Sequence, residues 1–169
     1  MNEDNVNHPK HYNEHPSGIE CIDVCQWFGF NVGNAIKYLW RAGLKERNDF
    51  NQDVEKAIWY LKRELGHEEV VSLKDSVFSE YLKKHFSAHY KIFKTNKHIP
   101  VQAAVFIRDN IWHIRQGMKC VPVADALCYI LETAEHHYDE VILLCKAIDA
   151  LERLTKQTEA VEKFHRKMD

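Results

Sequence analysis

The sequence predicts an all-α protein, a compact helical bundle entered through an irregular N-terminal arm. Three observations predict it. Only 6 glycines and 4 prolines interrupt 169 residues. Apolar residues recur at spacings of three and four along most of the chain, and runs that alternate apolar with polar are few. A composition of 45% hydrophobic and 28% charged residues is that of an ordinary globular chain, long enough for one domain or two small lobes on a shared core.

The elements follow in order. The segment up to Gly18 is polar and carries Pro9 and Pro16, so it reads as the arm. Ile19 to Phe28 is predicted as a first short helix. A second runs from Asn34 to Ala42, with Ala35, Ile36, Leu39 and Trp40 on its apolar side, and stops near Gly43. The third, Gln52 to Leu65, places Val54, Ala57, Ile58, Leu61 and Leu65 on a core-facing stripe, and Gly66 ends it. A long amphipathic helix is expected over Leu73 to Phe93, before the break at Pro100. Val101 to Arg115 and Val123 to Glu135 follow, separated by Gly117 and Pro122. The final helix spans about Asp139 to Arg153 and can extend into the charged tail.

The two halves echo each other. Asn34-Ala-Ile-Lys-Tyr-Leu-Trp compares with Asp125-Ala-Leu-Cys-Tyr-Ile-Leu, and Lys56-Ala-Ile-Trp-Tyr-Leu with Lys146-Ala-Ile-Asp-Ala-Leu. A degenerate internal repeat and a chance match of helical patterns both produce such an echo. A repeat would have lost basic groups in its second copy, where Cys128 replaces Lys37 and Glu132 replaces Arg41.

Bulk properties narrow the function classes. A net charge of -2 argues against a general nucleic-acid binder, so any anion site is a local concentration of Lys and Arg. Cys21, Cys25, Cys120, Cys128 and Cys145 form no close C-x-x-C pair and read as free thiols of a reducing cytoplasm. No signal peptide or long apolar run is present, which argues against membrane insertion.

The chemistry-bearing residues gather in the first third. Asn34, Lys37, Tyr38 and Arg41 lie at i, i+3, i+4 and i+7, on one helix face, and Lys45 extends the positive row. Two cations, an amide and a phenol suit a phosphate with a sugar or base beside it, Arg41 gripping oxygens as a fork and Lys37 acting as a point charge. A solvated face of an amphipathic helix has the same spacing. On the third helix Asp53, Lys56 and Tyr60 share a flank: Asp53 can orient Lys56 or Arg41, and Tyr60 can stack on a base, or the set can be a surface ion pair beside a half-buried ring. Trp59 is expected to pack between helices.

Glu20 and Asp23, at i and i+3, can hold a hydrated magnesium ion, take a proton, or simply favour a helix N-terminus. Glu132 and Glu135 repeat that spacing near His136 and His137. His8, His11 and His15 crowd the arm, but without the helix context of a zinc site, and no metal ligands are assigned. There is neither a G-x-x-x-x-G-K-S/T loop nor a G-x-G-x-x-G turn. Phosphates would have to be neutralised by side chains, which phosphoryl transfer permits because it depends mainly on positioning and charge.

The order Val6-Asn-His-Pro-Lys-His-Tyr, Ser17-Gly-Ile-Glu-Cys-Ile-Asp, Gly33-Asn-Ala-Ile-Lys-Tyr-Leu-Trp-Arg, then Asp53 and Lys56-Ala-Ile-Trp-Tyr-Leu resembles the SaV-like phage domain family, which includes a deoxynucleotide kinase of short-tailed coliphages. The resemblance covers residues 6–65 and divides the chain into a nucleotide-site lobe, 1–66, and a helical half, 67–169, that it does not describe. It implies a nucleotide ligand, an infected bacterial cytoplasm, and a non-P-loop kinase acting on a deoxynucleoside monophosphate. Lys37, Arg41 and Lys56 would hold phosphates, Tyr38 and Tyr60 the base or sugar, and Asp23 or Glu20 the sugar hydroxyl or a proton. His11 and Tyr12 would close over the site from the arm. A protein that sequesters a nucleotide from host defence needs the same residues. A magnesium-dependent pyrophosphohydrolase would instead use Glu20, Asp23, Glu132 and Glu135. Small helical proteins often complete such pockets by assembly, so a homo-oligomer is expected.

Overall fold

The structure, a computed structural model, describes residues 15–44, 50–65, 99–135 and 140–166. The helix expected over 73–93 lies outside them, as do His11, Tyr12 and Lys45. Among the described residues every regular element is a helix: α1 (Cys21–Cys25), α2 (Phe30–Arg41), α3 (Phe50–Glu64), α4 (Val101–Gly117), α5 (Val121–Glu132) and α6 (Glu140–His165). The all-α prediction holds. None of these helices is long and apolar enough to cross a membrane.

Two helical hairpins make the body. α2 packs on α3 and α5 on α6; the pairs are joined by α2 against α5 and α3 against α6, with α1 on α2 and α4 on α5. One core runs through both, including Ile36, Leu39, Trp40 and Leu61 from the first hairpin and Leu127, Ile130, Leu144 and Ile148 from the second. The described residues before and after position 66 therefore share one core. The α3 stripe is placed as its period requires: Val54, Ala57, Leu61 and Leu65 are buried and Ile58 is partly so.

Several boundaries move. α2 begins a turn before Asn34, and Gly33 is the reason. A Cβ there would sit 3.0 Å from the Cys25 carbonyl oxygen, so the glycine that weighs against a helix by propensity is what lets α1 pack closely on α2. The first helix is shorter than expected, five residues. The last is longer, 26 residues, and its charged tail is helical well beyond Arg153.

The hairpins correspond in register. α2 and α5 each have 12 residues and start 91 positions apart, while α3 and α6 start 90 apart. The sequence echo thus falls on equivalent helices. Lys56 Nζ lies 5.5 Å from the Tyr38 ring centre, and Lys146 Nζ lies 5.7 Å from that of Tyr129.

One contact ties the end of the arm to the bundle. His15 is buried with its ring against Trp40, centroids 4.5 Å apart. The Ser17 backbone N–H donates to His15 Nδ1 (3.2 Å), and Ser17 Oγ lies 2.7 Å from the same nitrogen. Nδ1 is therefore the acceptor, and the proton sits on Nε2, 3.2 Å from Met118 Sδ. The ring also lies over Gly117, where an added Cβ would run into His15 Cε1 and stand 2.9 Å from Nδ1. Gly117→Ala should displace the imidazole and destabilise the fold by about 1–3 kcal/mol. Urea unfolding checks it; an unchanged midpoint would mean that the ring moves aside at no cost.

Candidate functional site

The outer side of the α2–α3 hairpin holds most of the residues the sequence singles out. Burial of Ala35, Ile36, Leu39 and Trp40 turns the other side of α2 away from the core. Trp40 is fully buried, and its indole N–H has no hydrogen-bond partner among the described residues, so it serves as packing. Asn34, Lys37 and Tyr38 are each partly exposed on the opposite side. The Asn34 amide donates to the Phe30 carbonyl oxygen at 2.7 Å, one turn back along its own helix.

Arg41 differs from its neighbours. It is buried at the end of α2, and Asp53 is buried in the first turn of α3. Its Nε donates to Asp53 Oδ2 at 3.2 Å and its Nη2 to Oδ1 at 2.8 Å. The two helix ends favour this arrangement, since a cation suits a C-terminus and an anion an N-terminus. The fork expected to grip phosphate thus grips Asp53, one of the two partners the sequence allowed that carboxylate. Its guanidinium carbon lies 4.7 Å from the Tyr38 ring centre, on which it also stacks.

Around this pair stands an aromatic cluster. Tyr38 and Tyr60 stack at 5.8 Å with planes 20° apart, and Phe30 meets Tyr60 edge-on at 6.0 Å. Trp59 is edge-on to Tyr60 at 4.9 Å, with Arg63 5.6 Å from the Trp59 ring centre. Lys56 lies over Tyr38 and donates to Gln52 Oε1 at 2.9 Å. Two rings remain open to solvent: Phe30, 77% exposed, and Trp59, 55% exposed. Trp59 is therefore not the interface filler its size suggested. The sequence reading missed Phe30 because it began the second helix after it; an aromatic residue just past Gly29 was the available signal.

α1 flanks this face. Asp23 lies in its first turn and is exposed, with Glu20 immediately before the helix. The thiol of Cys25 accepts a hydrogen bond from Cys21, which, with Lys37 nearby, lowers its pKa, while the same bond and burial raise that of Cys21. Among the described residues no group of three or more His, Cys, Asp or Glu is placed to hold a metal ion. Glu20, Asp23, Glu132 and Glu135 accordingly form no such group, and Glu135 pairs with Arg108 at 3.4 Å.

Lys37, Tyr38, Arg41, Asp53, Lys56 and Tyr60 are thus borne by two adjacent helices, with Arg41 and Lys56 over the Tyr38 ring and Tyr60 stacked on it. A planar aromatic ligand bearing negative charge is the chemistry such a surface recognises. No curated protein and no solved structure matches the chain. A model of the family DUF3310, described as a protein of unknown function, matches residues 6–62, which hold α1, α2 and most of α3 and so all six of these residues.

Proposed function

We propose that the chain binds a nucleotide on the outer face of the α2–α3 hairpin, and that it acts there as a non-P-loop kinase of deoxynucleoside monophosphates. The observation that carries the binding reading is the contact between an open aromatic cluster and cations on one surface. Phe30 and Trp59 offer exposed rings for the base. Lys56, beside Tyr38, supplies charge for phosphate, and Lys37 shares the face. Arg41, gripped by Asp53, contributes a fixed positive charge.

The kinase part and the infected bacterial cytoplasm come from the motif resemblance; assembly into a homo-oligomer is expected because small helical proteins often complete such pockets that way. With no glycine-rich loop, rate enhancement would come from holding phosphates in line and offsetting their charge.

A thermal-shift screen of nucleoside mono-, di- and triphosphates tests binding. A ligand at a hundred times its dissociation constant should stabilise the protein by about 2.7 kcal/mol. Phe30→Ala should weaken binding about 5- to 150-fold, the range of one lost base–ring stack, and Lys56→Ala should weaken it for phosphorylated ligands and not for nucleosides. If no nucleotide stabilises the wild type, the reading fails. Product formation then separates the kinase from a nucleotide-sequestering protein: tight binding with no phosphorylated product leaves sequestration.

A further inference from the structure

We infer that Tyr129 and Lys146 form a second site, on the α5–α6 hairpin, that takes a nucleoside monophosphate; this rests on the reading of the α2–α3 face as a nucleotide site. The equivalence comes from register. Tyr129 occupies the position of Tyr38 and Lys146 that of Lys56, on helices that start 91 and 90 residues later. The ammonium-to-ring distances differ by only 0.2 Å, 5.5 against 5.7 Å. Helical patterns match by chance more easily than side-chain contacts do.

The second copy is also less committed than the first. Tyr60 stacks on Tyr38, but the equivalent position on α6 is Ala150, so that ring is missing. Among the described residues Tyr129 touches no other aromatic ring and makes no side-chain hydrogen bond, and Lys146 makes no ion pair. A half-buried ring resting on the core, its phenol and the exposed ammonium beside it stand together at one place. A base can stack on the ring while a phosphate meets the ammonium.

The charges set the ligand class. Cys128 stands where the first copy has Lys37, and burial raises its thiol pKa to about 11, keeping it neutral. Glu132 stands in place of Arg41. Asp125 is paired with Arg115 at 2.8 Å, so its charge is largely offset. One ammonium remains to meet phosphate, with the exposed Glu132 carboxylate a turn from Tyr129, so a single phosphate group is suited and the higher charge of a triphosphate disfavoured.

Equilibrium dialysis of the full chain with adenosine and thymidine 5′-monophosphates tests this. Wild type should bind two equivalents. Lys146→Ala, a change at an exposed side chain, should reduce this to one, or weaken one of the two at least tenfold. Tyr129→Phe, which keeps the ring, should retain both. Adenosine triphosphate should occupy one site only. One equivalent in wild type that survives Lys146→Ala and is lost in Lys56→Ala overturns the second site and leaves the first. One equivalent lost in Lys146→Ala and not in Lys56→Ala overturns the first assignment instead. No binding by wild type removes both.

Discussion

Asp53→Ala is expected to destabilise the protein by about 3–5 kcal/mol, the cost of removing one partner from a buried ion pair. Asp53 is 1% exposed and receives two of the Arg41 N–H groups, so the substitution leaves a guanidinium inside the protein without that carboxylate. Total stability of a domain this size is on the order of 5–15 kcal/mol, which makes this a large fraction. A useful contrast is the Lys62–Glu152 pair at 2.7 Å, whose two side chains are about a quarter exposed. Lys62→Ala should cost no more than about 1 kcal/mol. Urea denaturation of both variants decides the point. Equal, small losses would show that the Arg41–Asp53 pair does not clamp α2 to α3. The pair is also why Arg41→Ala would be a poor probe of ligand contact, since folding and binding would fail together.

Acidification should reveal the second large effect. His15 is 3% exposed, and desolvation lowers its pKa from 6.5 to about 4. Between those values the unfolded chain binds a proton that the folded chain does not, so stability falls as pH drops and rises as pH increases. The contribution is complete above pH 6.5 and lost progressively towards pH 4. By linkage the loss is about 2 kcal/mol at pH 5 and about 3 kcal/mol over the whole window. Carboxylates add their own pH dependence, so the comparison is with His15→Gln. The variant should lose about 2 kcal/mol less than wild type between pH 7.5 and pH 5. Parallel curves would mean that the imidazole is hydrated in the folded state. Because His15 lies against Trp40 and Gly117, its protonation should loosen the junction between the arm and the α4–α5 connection.

Helix existence was legible in the sequence because it depends on local periodicity. Ala35, Ile36, Leu39 and Trp40 recur at helical spacing, and all four are fully buried. The boundaries were less legible. Gly33 argues for a break by propensity, yet it sits inside α2 because the Cys25 carbonyl approaches there. The polar face of α2 was legible as a set of residues, but the state of each was not. Spacing puts Arg41 in line with Lys37 and Tyr38; only the hairpin shows that Arg41 is buried on Asp53 while the other two stay partly open. His15 was one of three histidines in a polar arm. Nothing nearby in sequence announces that its ring packs on Trp40, or that Nε2 meets Met118, 103 positions away.

What the sequence determined by itself is therefore the class of fold, the faces that must be buried, and the cluster of cations and rings in the first third. All of these follow from short-range spacing. The tertiary structure decided which charges are spent on each other and which rings are open, because those depend on contacts between helices. Arg41 is held by Asp53, and Tyr38 is covered by Tyr60. Tyr129 has no such partner, since Ala150 stands at the position equivalent to Tyr60. The echo between the halves was visible in the letters. Its physical content, an ammonium over a phenol ring in each hairpin, emerges only once α6 is packed on α5 as α3 is on α2.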